Sequence, residues 1–375
     1  MTPFEVVTSR FKFPDYIVPH PLQLKVINDG APLQRSGEWL DMGTGKTFCS
    51  TAVGLYWLLM TNCKIVVIMP PNLLRQWEAW LRSITPALRI LRYAGDPAHR
   101  KNLNMDCDVL LVGIKLFIKE YDRFINHYHG QTPFVIVDEA TIVAGIDNQS
   151  HEKVHDFMAA RPAVLLSGTP ANKPGDAYGL MKMTAPGSYR NLKRFNDEHV
   201  AATDFYGRPV EWKNLDLLKA NLMKNSFRVL FEDMYPLAEK PRYVTIEYDL
   251  DPKHYKLYKR LAEEQMLTLP DGDKIDATSA SRLLHALGQI IVNPAHFSGD
   301  DKMVSETVHM IDEKLQELGD GKLMVFAYYR MSVANITKSL AKYGAVAYNS
   351  DISEGQKHKN LQRFINDPKC RVIGI

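Results

Sequence analysis

The chain has 375 residues, 45% hydrophobic and 24% charged, which is enough for two packed domains and excludes a disordered or low-complexity protein. Its net charge of +3 permits contact with a polyanion without demanding it, since such a footprint is usually a local patch. The four cysteines, Cys49, Cys63, Cys107 and Cys370, form no CxxC pair, which excludes a zinc-ribbon scaffold and predicts reduced, buried thiols.

The opening Met1-Thr2-Pro3-Phe4-Glu5 lacks a basic stretch followed by an apolar run, so no secretory leader is expected. Leu55–Met60 is too short to cross a bilayer, and no membrane partner is expected. The most informative stretch is Leu40-Asp41-Met42-Gly43-Thr44-Gly45-Lys46-Thr47, followed by residues that can run on as a helix. Glycines let the backbone wrap phosphate oxygens so that several N–H groups point inward, and the helix adds its positive dipole end. In this pattern Lys46 reaches the β- and γ-phosphates of a nucleotide and the Thr47 hydroxyl ligates Mg²⁺. The loop from Met42 to Thr47 is therefore the candidate nucleotide site.

Short apolar runs recur after it, at Ile65–Met69, Val109–Val112, Phe134–Val137 and Val164–Leu166, as buried parallel strands do. Leu73, Leu74, Trp77, Trp80, Leu81 and Ile84 have helical spacing, which predicts that Trp77 and Trp80 pack in the core. The alternation predicts an α/β domain with a doubly wound parallel sheet over residues 1–185. Phe134–Val137 delivers Asp138 and Glu139 at the strand edge where ligands bind in such sheets. Asp138 there suits Mg²⁺, and Glu139 suits the positioning or deprotonation of a water that attacks the γ-phosphate.

Residues 186–300 read as a mainly helical insertion, with helices over 215–225, 252–265 and 278–292, a strand at Tyr243–Tyr248 and a turn at Pro270–Asp273. Strand–helix alternation resumes over 301–375, as the opening of a second α/β domain. A stop on the apolar run Arg371–Ile375 is what a piece of a longer protein would show.

The ordered set resembles the superfamily-two helicases, and within them the Swi/Snf-type DNA translocases. Residues 41–47 match motif I, Val137–Thr141 motif II and Leu165–Pro170 motif III. Pro21–Ile27 resembles the adenine-sensing glutamine motif, and Val67–Trp77 the motif that touches one DNA strand. Leu237–Pro241, Leu250–Tyr258 and Leu283–Phe297 are similar to further Swi/Snf signatures, and Lys322–Tyr328 to motif IV.

The resemblance covers residues 20–375 and implies two RecA-like lobes, the second partial. It implies that Gln23 senses adenine and that Lys46, Asp138 and Glu139 are catalytic. Ser167 and Thr169 would couple nucleotide state to DNA grip, and Pro71, Asn72, Arg75 and Lys173 would touch nucleic acid. The implied function is ATP-dependent movement along double-stranded DNA, by a monomeric bacterial or viral motor working in the cytoplasm. RNA or branched DNA is the alternative track, and a non-hydrolysing scaffold the alternative class. Thr141 stands where the family usually has His, and the chain reaches Ile375 without motifs V and VI. These residues alone are therefore expected to bind ATP better than they hydrolyse it.

Three other clusters carry ambiguous patterns. His151-Glu152-Lys153-Val154-His155 matches a zinc-protease pattern, but polar residues on a helix face are the better reading. Lys253, Lys256, Lys259 and Arg260 form a basic stripe at helical spacing, and Lys182, Arg190, Lys193 and Arg194 a second basic cluster. Each suits a phosphate-tracking face or a merely solvated one.

Overall fold

The apolar runs pair side by side in the computed structural model, which describes residues 1–84, 87–269, 272–300 and 302–375. The chain divides into two units, Met1–Lys240 and Pro241–Ile375.

The first unit holds β1 (Arg35–Leu40), β2 (Ile65–Met69), β3 (Ile90–Tyr93), β4 (Val109–Gly113), β5 (Phe134–Val137) and β6 (Ala163–Leu166). It also holds a hairpin of β7 (Val200–Thr203) and β8 (Pro209–Trp212), and then β9 (Ser226–Val229). Seven of these form one sheet in the order β3-β4-β2-β5-β6-β1-β9, and every pairing in it is parallel. Side chains alternate between its faces. Val66 and Ile68 enter one core with Phe117, Phe124 and Phe157, whereas Ile65, Val67 and Met69 enter the other with Val53, Trp77 and Leu81. Both faces are covered, which is why these strands read as unbroken apolar runs.

Three strands of this sheet, β1, β3 and β9, escaped the sequence reading. β1 carries Ser36 and Glu38, each only 2% exposed, and β9 carries Arg228. Their polar residues hide the strand signal, yet β1 lies between β6 and β9. β9 also moves the domain boundary. Residues 186–240 do not form a separate insertion with residues 241–300: their helices pack Phe195 and Leu218 on Tyr178, Met181 and Tyr189, and β9 completes the first sheet. The division falls at Lys240, not at 185.

In the second unit, helices Pro252–Glu264 and Ala280–Val292 pack through Leu261, Leu287 and Ile290 beside the hairpin of β10 (Met266–Thr268) and β11 (Lys274–Asp276). A parallel sheet comes next, β12 (Leu323–Val325), β14 (Val372–Gly374) and β13 (Val346–Ala347) in that order, with Leu315 and Ile336 of flanking helices in its core. The strand expected at Tyr243–Tyr248 is absent: the stretch pairs with no strand among the described residues, and Tyr243 is 94% exposed. Of the expected turn, Pro270 and Asp271 lie outside the described residues.

Candidate nucleotide site

The site forms where β1, β6 and β5 end together. β1 stops at Leu40, the chain turns through residues 41–45, and the helix Lys46–Thr61 begins. Gly43 (φ 80°) and Gly45 (φ 89°) occupy the left-handed region that glycine tolerates best. A Cβ on Gly45 would also collide with Gln23 Nε2. Gly45 caps the helix without a side-chain bond, so the N–H groups of its first turn lack intrahelical partners. Thr44 is buried and ties its hydroxyl to Asp41 O at 2.7 Å, whereas Met42 is exposed. Lys46 Nζ donates to Leu40 O at 3.0 Å and Asp41 O at 3.4 Å, carbonyls of its own loop.

Gln23 is fixed from both ends. Its Oε1 accepts from His20 N at 2.9 Å, capping the helix Pro21–Gly30, and its Nε2 donates to Thr44 O at 2.9 Å. It faces a cleft of about 540 Å³ that also touches Gly45, Thr47, Phe48, Trp80 and Tyr235. An apolar-walled cleft with a few fixed polar groups suits a base beside the phosphate loop.

β6 separates β1 from β5, and the register places Glu38 beside Leu166 and Val137 beside Leu165. Asp138, one residue past Val137, thus ends level with Glu38. Asp138 Oδ2 accepts from the Trp77 indole Nε1 at 2.8 Å and Oδ1 from Glu139 N at 2.9 Å. Burial raises the Asp138 pKa from its ordinary value, and the two hydrogen bonds and the Lys46 charge oppose the rise. Glu139 is raised too, by burial and then by Asp138, with Lys46 opposing. Its backbone is left-handed, at φ 52°, a strained conformation for a side chain with a Cβ. Lys46 Nζ lies 3.5 Å from where a Cβ on Gly168 would sit, so the ammonium stands beside the turn after β6. A glycine cradle, a lysine held only by carbonyls, a first-turn Thr47 and a buried carboxylate thus converge on one sheet edge. The set fits a Mg²⁺-bound triphosphate.

Ser167 is buried in the turn after β6, and its Oγ accepts from Thr169 N at 3.1 Å, leaving Thr169 exposed. Pro71, Asn72 and Arg75 come after β2 and are exposed, as is Lys173 at the start of the helix Pro174–Thr184. Thr141 is half-buried in the short turn of helix after Glu139.

Three residues at the site were not read from the sequence. Trp77 is in the core as expected, but its indole also holds Asp138. Glu38 is fully buried with Oε2 unpartnered among the described residues, and burial, then the charge of Asp138, pushes its carboxyl well up. Arg228 of β9 bonds to Asp41. Only their tertiary partners reveal them. Trp80 is half-buried and bonds Thr51 Oγ1 at 2.9 Å.

The His151–His155 stretch lies on the helix Gln149–Met158, as the helix-face reading has it. His151 is buried, stacked on His155 at 5.6 Å, with Nδ1 bonded to Val143 O at 2.8 Å. Among the described residues no group of three or more His, Cys, Asp or Glu could hold a metal. In the stripe on helix Pro252–Glu264, Lys259 and Arg260 pair with Glu263 and Glu264 at 3.7 and 3.2 Å. In the other cluster Arg194 pairs with Glu198 at 3.7 Å. Such exposed pairs are solvated charges of little energetic weight. No helix of the described residues is long and apolar enough to cross a membrane.

A family model described as the SNF2-related domain matches residues 40–295. The zebrafish (Danio rerio) chromodomain-helicase-DNA-binding protein 1-like is 25% identical over 348 residues, covering 86% of this chain and 32% of that protein. Human SWI/SNF-related matrix-associated actin-dependent regulator of chromatin subfamily A member 1 is 22% identical over 312 residues, covering 78% of this chain and 29% of that protein. The chain thus spans about a third of the length of these relatives. Among solved structures, the Sulfolobus solfataricus SWI2/SNF2 ATPase core in complex with dsDNA superposes with a TM-score of 0.51 at 20% identity, covering 96% of this chain and 78% of that one. That likeness shows the fold, a RecA-like α/β core.

Proposed function

The chain belongs to the SNF2-related domain family of Swi/Snf-type ATPases, and from that premise we propose that it is the motor part of an ATP-driven translocase on duplex DNA. The observation that carries this reading is the convergence of Lys46, Asp138 and Glu139 at one sheet edge, beside a cleft guarded by Gln23. In it, the backbone of Gly43–Thr47 cradles the phosphates, and Lys46 leaves Leu40 O for the β- and γ-phosphate oxygens. Thr47 and Asp138 would hold Mg²⁺, which supplies charge neutralisation at those oxygens. Glu139 takes the attacking water's proton, a role suited to a carboxylate whose pKa is already raised by burial. Ser167 and Thr169 stand in the turn between the two halves of the site, where phosphate occupancy would be felt and passed to the exposed DNA-facing set of Pro71, Asn72, Arg75 and Lys173.

Duplex DNA as the track rests on the family and on the DNA bound by the Sulfolobus core. The test is ATP turnover of the protein with duplex DNA, single-stranded DNA or RNA added. Duplex DNA should stimulate it most, and stimulation by RNA alone would reassign the substrate. Lys46→Ala should abolish ATP binding. Glu139→Gln should bind ATP yet turn over slower by about 100-fold or more. Unchanged turnover in Glu139→Gln would leave the motor reading without its water-activating group.

A further inference from the structure

One residue gathers three parts of the site. Arg228, near the end of β9, donates from Nη2 to Asp41 Oδ1 at 2.6 Å and from Nη1 to both Trp39 O and Gly168 O at 2.8 Å. Asp41 opens the phosphate loop, and Gly168 lies between Ser167 and Thr169. The second Asp41 oxygen accepts from Phe231 N at 3.0 Å, and Asp41 N donates to Val229 O at 3.0 Å. The Asp41 carbonyl in turn accepts from Thr44 Oγ1 at 2.7 Å and from Lys46 Nζ at 3.4 Å. Past Phe231, the chain carries Met234 and Tyr235 to the wall of the cleft that also holds Gln23, Gly45 and Thr47. Gly43 is packed so that a Cβ there would meet the Phe231 ring at 3.4 Å.

We propose that Arg228 is a positioning residue for nucleotide recognition, with Asp41 as its counterpart: the pair clamps residues 230–235 onto the phosphate loop so that Met234 and Tyr235 form the base-side wall. The inference rests on the nucleotide reading of the site and adds to it a group that touches neither base nor phosphate. Three fixed acceptors in different directions match the planar fork of a guanidinium, whereas an ammonium on a flexible stem can satisfy the charge but not all three together. The gain from such a clamp is pre-organisation: the wall is already in place when the base arrives. The same guanidinium reaches Gly168, so the wall and the turn after β6 share one anchor.

The clamp serves the base and not the phosphates, so it predicts a split. Binding of Mg·ATP and of Mg·tripolyphosphate, which has no base, is measured by calorimetry on the full chain for the parent, Arg228→Lys and Asp41→Asn. Each variant should lose about tenfold or more in affinity for ATP while its affinity for tripolyphosphate stays within about twofold. Equal losses for both ligands would overturn the proposal, because Arg228 would then merely hold the phosphate loop. Unchanged affinity for both would overturn it as well. If Arg228→Lys fails to fold by circular dichroism, Asp41→Asn, which keeps the side-chain volume and an acceptor for Phe231 N, decides by the same ratio. A parent that binds neither ligand would sink the nucleotide reading itself and this inference with it.

Discussion

Glu38 sits fully buried in the strand that feeds the phosphate loop, with one carboxyl oxygen bonded to nothing among the described residues. Burial lifts its pKa well above the ordinary 4.5. Between 4.5 and that raised value the folded protein holds a proton that the unfolded chain has released, so Glu38 costs stability as pH climbs through the window. Glu38→Gln should therefore gain on the parent in thermal melts as pH is raised from about 5 towards about 8; a constant difference across pH would show that the carboxyl is not the source. Trp77 makes the complementary case. Trp77→Phe keeps most of the ring but removes the donor from buried Asp138, and should cost about 1–3 kcal/mol in urea unfolding. Parent-like stability with unaltered turnover would mean that the indole bond contributes nothing. These two residues also mark where sequence reading stopped. Lys46, Thr47, Asp138 and Glu139 stand out because glycines and paired acids make a local pattern. The indole of Trp77 meets Asp138 across 61 positions of chain, and spacing alone does not announce such a partner.

Elements were legible in proportion to how one-sided their chemistry is. β2, β4, β5 and β6 are continuous apolar runs because both faces of the sheet are covered, and the sequence marks each to within a residue or so. β1 and β9 carry Ser36, Glu38 and Arg228, whose polar groups interrupt the apolar run, and so they lost the strand signal. Tyr243–Tyr248 failed in the opposite sense. Its β-rich composition was present, but a strand also needs a neighbour, and composition does not supply one. Helix packing gives a sharper test. In the helix Pro174–Thr184, Gly179 lies against the short helical turn Ala140–Val143, and a Cβ there would fall on Ala144 O. Backbone cannot swing aside as a side chain does, so Gly179→Ala should destabilise by about 1–3 kcal/mol despite alanine's better helix propensity. A stability equal to the parent's in urea would show that the two elements are free to separate.

At the scale of the molecule, the sequence showed two α/β regions but misplaced the junction, because β9 returns to the first sheet after a long excursion through residues 186–225. Residues 236–249 make the crossing without helix or strand and are exposed throughout. Trypsin should therefore cut first after Arg242, leaving two resistant fragments; earlier cleavage outside residues 236–249 would contradict the division near Lys240. The lateness of β9 matters for biosynthesis. β1 is made early, but its outer edge must wait for Ser226–Val229, so a ribosome translating this protein holds the phosphate-loop strand with one bare flank until almost the whole unit has emerged. A nascent chain released just short of that point would carry every glycine and lysine of the loop and still lack the strand that braces it.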